Sequence, residues 1–277
     1  MSSTKKMTLS IDEPFKITSW KQWYYKNERG ILGTLGILIV LAVWEITGRS
    51  GVVDPIFTSS PSQVWYAGID YFSSGSGWID LKVSGLEFLS GFILAILVGI
   101  PVGIVMGWYR KIEALFDPIV NFLYSAPRIA LMPLFIIWFG IDMSSKVAII
   151  FLGAVFPIII NMIVGIRTID PILLNVARSY KAKDYQIFRT IVLPSALPAV
   201  ISGIRLGLGH ALIGIVVGEM VASTSGIGYM MNQAGASYQT DLVFLGLILI
   251  SGCGVAFTEL IRRLERRFDK WRPDLHK

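Results

Sequence analysis

From Gly85 to Trp108 the chain reads GLEFLSGFILAILVGIPVGIVMGW, and this stretch decides the fold. An α-helix needs about 20 mostly apolar residues to cross a bilayer, and the run is long enough to do so. Within it Gly91, Ala95, Gly99, Gly103 and Gly107 recur every four residues, and residues four apart share one helix face. A stripe of small side chains lets two backbones approach closely, which is how helices associate in lipid. The stretch therefore reads as a membrane helix made to lie against another helix. A second stripe, Gly203, Gly207, Ala211, Gly214 and Gly218, marks a second helix of the same kind.

Working outward from this run, five more apolar segments complete a set of six: Ile31–Ile46, Phe116–Gly140, Val147–Ile166, Leu197–Val221 and Leu242–Leu260. The first is short and carries Glu45. The second is interrupted by Pro127, Arg128 and Pro133. Composition agrees: 53% of the 277 residues are hydrophobic and 16% charged, where soluble domains carry roughly 25% charged residues. The expected architecture is an all-α membrane protein of about six transmembrane helices in one domain, residues 31–264. An interfacial or cytoplasmic segment, 1–30, precedes it, and a basic tail, 265–277, follows. Aromatics beside lysines at Trp20, Lys21, Trp23, Tyr24, Tyr25 and Lys26 suit the headgroup zone. No A-x-A site follows the first apolar run, so no cleaved leader is expected.

Lys and Arg placement orients the helices. With the N-terminus inside, 20 of the 25 basic residues fall in cytoplasmic segments, and only Arg49, Lys82 and Lys146 fall outside. Both termini are therefore expected in the cytoplasm, with a bilayer as the main partner. The net charge of +6 is accounted for by this orientation and gives no reason to expect nucleic acid. Two histidines, His210 and His276, and one cysteine, Cys253, leave no cluster for metal binding or Cys–His catalysis. No catalytic or metal-ligating residue is expected.

The cytoplasmic loop from Asp170 to Pro194 is the most informative stretch. Asp170 followed by Pro171 is a helix start, N-cap then first turn. Asp184 can cap a second short helix in which Tyr185, Phe188, Ile191 and Val192 share one face, with Pro194 ending it. The loop thus reads as two short helices joined by a basic turn. It can float at the headgroups or present an apolar knob to a soluble partner.

In spacing, the loop resembles the "EAA" loop of ABC importer permeases: E-A-A, three residues, G, nine residues, I-x-L-P. Asn175, Val176 and Ala177 stand at E-A-A, Lys181 at Gly, and Ile191, Leu193 and Pro194 at I-x-L-P. Other matches point to the nitrate, bicarbonate, sulfonate and taurine type of these permeases. They are Pro61-Ser62, Gly99 to Gly103, Trp138-Phe139-Gly140, Leu193 to Pro198, Gly218-Glu219-Met220 and Gly226 to Tyr229. The resemblance implies the type I ABC importer permease fold and a bacterial inner-membrane location. It also implies a pair of permease chains, expected to be a homodimer. Two cytoplasmic ATPase subunits would grip the coupling loop at Asn175, Val176, Ala177, Lys181, Tyr185, Phe188, Ile191, Leu193 and Pro194. An extracytoplasmic binding protein would deliver the solute, a small anion or an aromatic carboxylate. The sequence contains no G-x-x-x-x-G-K-[ST] loop. ATP and magnesium are therefore expected on the partner ATPases, with no cofactor in this chain. Asn175 and Val176 depart from the family's Glu and Ala. Lys181 replaces its Gly, at a cost of about 1–2 kcal/mol if it sits in a left-handed turn.

Ionisable groups inside a bilayer are costly and usually face the protein interior or water. Arg128, His210 and Glu219 are the candidates for the translocation path. Arg128 would carry an anion and Glu219 would gate or pair with it. Against this stand an internal ion pair or a broken helix end, and for His210 plain packing. Arg205 lies near the cytoplasmic end and is expected at the headgroups. Ala222 to Asp241, free of Lys and Arg, is expected to face the binding protein, to line an outer gate or to be a plain loop. The alternative function is a secondary transporter or channel working without an ATPase. That model has no internal repeat to support it and leaves the loop without a purpose.

Overall fold

The computed structural model describes residues 19–54 and 56–268. The expectations for the extreme termini fall partly outside them. Among the described residues all regular structure is helical. The helices are α1 (Ser19–Arg49), α2 (Pro61–Ser73), α3 (Ser76–Trp108), α4 (Arg110–Ser125), α5 (Met132–Phe139), α6 (Met143–Arg167), α7 (Pro171–Ser179), α8 (Asp184–Ile187), α9 (Leu193–Ala222), α10 (Ile227–Ala236) and α11 (Thr240–Phe268). Five of them are long and apolar enough to cross a membrane, or six spans if the bent pair α4 and α5 forms one.

The core is built on α6. Within the most apolar window of each span, 61% of α6 is buried, against 33% in α3, 11% in α11 and none in α1. The two small-residue stripes explain this. On α3, a Cβ at Gly91 would stand 2.7 Å from Ile150, and one at Gly99 would stand 2.9 Å from Ile158. On α9, Gly203, Gly207 and Gly214 rest on the α6 backbone at Ile158, Ala154 and Ile150. Both stripes therefore clasp the same helix from different sides. α6 fills the space with Ile149, Ile150, Ile158, Ile159 and Met162, all buried.

The third predicted span is broken. α4 and α5 meet at an angle of 89°. Pro127 forces the preceding residue out of the helical region, and Ala126 sits at φ −64°, ψ 139°. A short 3-10 turn, Arg128–Leu131, follows. Pro133 then falls in the first turn of α5, where its missing N–H is harmless.

Glu45, which made the first span look weak, has a structural use. Its carboxylate accepts from Ser62 N at 3.0 Å and Ser62 Oγ at 2.8 Å, and it pairs with Arg49. It thereby pins the start of α2, which is also closed by a Ser60–Gln63 capping box. Gly48 permits this approach, because a Cβ there would stand 2.6 Å from Ser59 O.

The segment after Ala222 carries a helix, α10. α1 runs unbroken past residue 30, and α11 runs unbroken past residue 264.

Candidate functional site

The loop between α6 and α9 begins as its sequence predicts. Asp170 caps α7, its carboxylate accepting from Ile172 N at 2.8 Å. At the other end Ala182 N donates to Ala177 O at 3.1 Å and Lys181 N to Arg178 O at 2.8 Å. These two bonds form a Schellman motif, and Lys181 sits in its left-handed position at φ 56°. Leu174, Ala177, Ala182, Phe188 and Ile191 turn inward and pack on the core. Phe188 meets Trp108 edge-on, with ring centroids 6.2 Å apart. The opposite side of α7 is apolar and exposed: Ile172 is 68% accessible, Val176 49% and Tyr180 84%.

Three expectations for the loop are corrected. Tyr185 is exposed and does not join Phe188, Ile191 and Val192 on the buried face. Asp184 opens the first turn of α8, and Lys183 occupies the cap position. Pro194 does not end the second helix. A π-turn over Phe188–Val192 joins α8 to α9 in one helical unit, Asp184–Ala222. Proline cannot donate to the carbonyl four residues back and clashes with it. The π-turn bypasses the clash, with Leu193 N donating to Phe188 O five residues back.

The three intramembrane candidates fall in two places. Arg128 and His210 lie together on a cavity of about 280 Å³, lined also by Tyr124, Ile149 and Gly153. The Tyr124 and His210 rings meet edge-on, with centroids 6.5 Å apart. Arg128 Nη2 donates to Tyr124 O and Nη1 to Gly153 O, both at 3.1 Å. Each carbonyl lacks a helical donor. Tyr124 is in the last turn of α4, and Gly153 lies four residues before Pro157, which has no N–H. Arg128 therefore closes the broken helix end and the proline gap in α6 at once. The remaining donors of its guanidinium are free of these two bonds.

Glu219 lies elsewhere, in a buried cluster near the C-terminal end of α9. Its Oε2 accepts from Gly228 N at 2.6 Å. Gly226 N donates to Asp80 Oδ1 at 2.7 Å, and Ile227 N to Ser84 Oγ at 2.9 Å. The N–H groups opening α10, which no side chain of their own can cap because the cap residue is Gly226, thus end on side chains of α3 and α9. Gly226 stands at φ 116°, and a Cβ there would strike the Glu219 carboxyl. Beside them Lys146 Nζ lies 2.7 Å from Glu87 Oε1 and donates to Ser223 Oγ at 3.1 Å. Tyr71, on α2 outside the spans, donates to Asp80. Burial and that carboxylate push its pKa up.

Lys146 was expected in an outer loop. It is 5% accessible, and its partner Glu87 2%. Arg205 meets Glu265 at 2.8 Å. Another carboxylate that sequence reading passed over, Glu113, is buried near the start of α4 and pairs with Arg167. Glu87 carried a usable signal: it lies on the same helical face as Ser84, Gly91 and Ala95.

The model of a family described as binding-protein-dependent transport system inner membrane component matches residues 99–270. A Bacillus subtilis chain named as an aliphatic sulfonates transport permease protein is 38% identical over 240 residues, 87% of each chain. The taurine transport system permease protein of Escherichia coli is 30% identical over 275 residues, 97% of this chain and all of that one. Among solved structures, a chain of the MetNI methionine ABC transporter in an inward-facing conformation aligns with a TM-score of 0.50 at 21% identity. It covers 66% of this chain and 94% of that one, a likeness of fold.

Proposed function

The chain belongs to the family of binding-protein-dependent transport system inner membrane components and is an ABC-type permease; from that premise we propose that it pairs with a second copy to form the path of an importer for a sulfonate or taurine-like anion. Two cytoplasmic ATPase subunits drive it and hold the ATP and magnesium. A binding protein on the other side delivers the solute. Both termini lie in the cytoplasm.

The observation that carries this reading is the outward face of α7. Ile172, Val176 and Tyr180 form an apolar ridge on a basic, inward-side loop. Its other side is fixed to the core, so the ridge is held out rigidly for a partner to cover. The Schellman turn at Lys181 sets its end. The sulfonate preference rests on the named relatives and on Arg128, whose remaining donors reach a cavity shared with His210. Glu219 holds the outer end of the path.

The test is to purify the tagged chain gently from native membranes. An ATPase subunit should come with it and be lost in Val176→Asp and Tyr180→Asp, while Leu38→Ala, on the exposed face of α1, keeps it. With the binding protein added, taurine or an alkanesulfonate should stimulate ATP hydrolysis. Recovery of the chain alone, with uptake driven by an ion gradient, would overturn the proposal.

A further inference from the structure

Between α9 and α11 runs an open groove of about 850 Å³. Most of its wall is apolar: Leu208, Leu212 and Val216 on α9, Ile250 and Val255 on α11. Glycine keeps it open. A Cβ at Gly209, which lines the groove, would meet nothing within 4 Å, and one at Gly254 would stand 2.7 Å from Leu212 Cδ1. The two helices run antiparallel here, since Arg205 of α9 meets Glu265 of α11 while Leu212 meets Gly254.

The groove has a polar end and an apolar end. Among the described residues, Arg205, Glu259 and Arg262 are the charged ones that line it, and the antiparallel register gathers them at one end. Val217 and Ile250 stand at the other. From Arg205 to Val217, α9 rises about 18 Å. One leaflet of hydrocarbon is about 15 Å deep, half of the whole core. The groove is therefore about one leaflet long, with charge only where headgroups lie. A span from a second copy would cross both leaflets, about 30 Å, and would need a groove twice as long. An acyl chain matches both the length and the lining.

The charged end favours an anion. Glu265 accepts from Arg205 at 2.8 Å, and Glu259 pairs with both Arg262 and Arg263. Three arginines thus face two carboxylates, which leaves one positive charge over. The α11 sequence adds Arg266 and Arg267 one turn further on. A guanidinium carries five N–H donors, so Arg205 and Arg262 keep donors beyond these pairings, and their side chains remain 42% and 55% accessible. Basic clusters at the ends of spans attract anionic headgroups.

We propose that this groove binds one anionic phospholipid, its phosphate between Arg205 and Arg262 and an acyl chain along Leu212, Val216 and Ile250. The lipid fills the space that the side chains of α9 and α11 leave between them. α11, only 11% buried over its apolar window, is thereby held to α9.

The full-length chain in detergent would be titrated with phosphatidylglycerol and, separately, with phosphatidylcholine, and bound lipid counted by native mass spectrometry. Phosphatidylglycerol should bind about tenfold more tightly and raise the melting temperature. Glycerol phosphate, the headgroup without chains, should do neither. Gly209→Leu places a side chain in the groove where a Cβ meets nothing. It should abolish the binding and leave the melting temperature without added lipid unchanged. Gly252→Leu, equally unobstructed but not lining the groove, should bind as the parent does. Arg205→Gln combined with Arg262→Gln should lose the preference for phosphatidylglycerol, while each Gln still offers an N–H to Glu265 or Glu259. Equal binding of the two lipids by the parent, or unchanged phosphatidylglycerol binding in Gly209→Leu, would overturn the proposal. So would a Gly209→Leu chain that loses a second copy by mass and keeps its lipid, which would assign the groove to contact between copies. These readouts need no ATPase and no solute, so they stand or fall apart from the transport reading.

Discussion

Lys181 occupies the one position of the loop where a side chain is a handicap. A left-handed backbone costs a non-glycine residue about 1–2 kcal/mol, and Lys181 adopts it at φ 56°. Lys181→Gly should therefore stabilise the end of α7 by about 1 kcal/mol. Amide hydrogen exchange at Lys181 and Ala182 would slow accordingly; unchanged rates would show that the turn is not strained. Arg128 is a second residue whose role is local before it is anything else. Arg128→Met leaves Tyr124 O and Gly153 O without a donor, a loss of about 1–3 kcal/mol that a lowered melting temperature would report. Arg128→Lys can refill one carbonyl and should recover part of the loss. The sequence marks Arg128 as unusual because charge in a span is rare. It does not reveal the acceptor, because the gap left by Pro157 is 25 residues further along the chain. Lys146 was misread for the opposite reason: it sits near a span end, where lysines usually reach water, and the carboxylate that buries it comes from α3.

At the scale of elements, the glycine stripes were legible from spacing alone, while the helix they both serve was not. α6 carries no such stripe. It is the knob side of two contacts, which is why its apolar residues are large. Gly99→Leu should force α3 away from Ile158 and Val155, destabilising the bundle by about 1–3 kcal/mol or more. Gly85→Leu, on the same helix with nothing within 4 Å, should be neutral, so the difference in melting temperature between the two isolates packing from composition. The break between α4 and α5 was visible in Pro127 and Pro133, but its 89° angle was not, since proline states where a helix stops and not where the next one goes. α10 escaped notice because its start is glycine and its caps are borrowed from α3 and α9. A sequence signal for a helix start looks for the cap in the preceding residue.

For the whole molecule, the proposed orientation rests on the basic bias of the segments between spans. In a Cys253→Ser background, Ser179→Cys should react with a membrane-impermeant thiol reagent only from the cytoplasmic side. Ser237→Cys, at the end of α10, should react only from the other side. The reverse pattern would invert the topology and with it the place of the ATPases.

The π-turn at Phe188–Val192 has a geometric consequence for the whole assembly. It amounts to one residue added to an otherwise regular rod, and one residue turns a helix by about 100°. The direction in which the ridge on α7 points is therefore set by that single extra residue relative to α9. From Leu193 to Glu219 the rod runs on for about 40 Å. A torque applied at the loop would travel along it as rotation, and deleting one residue from the turn would leave every contact surface intact but out of phase with the ATPase subunits proposed to grip it.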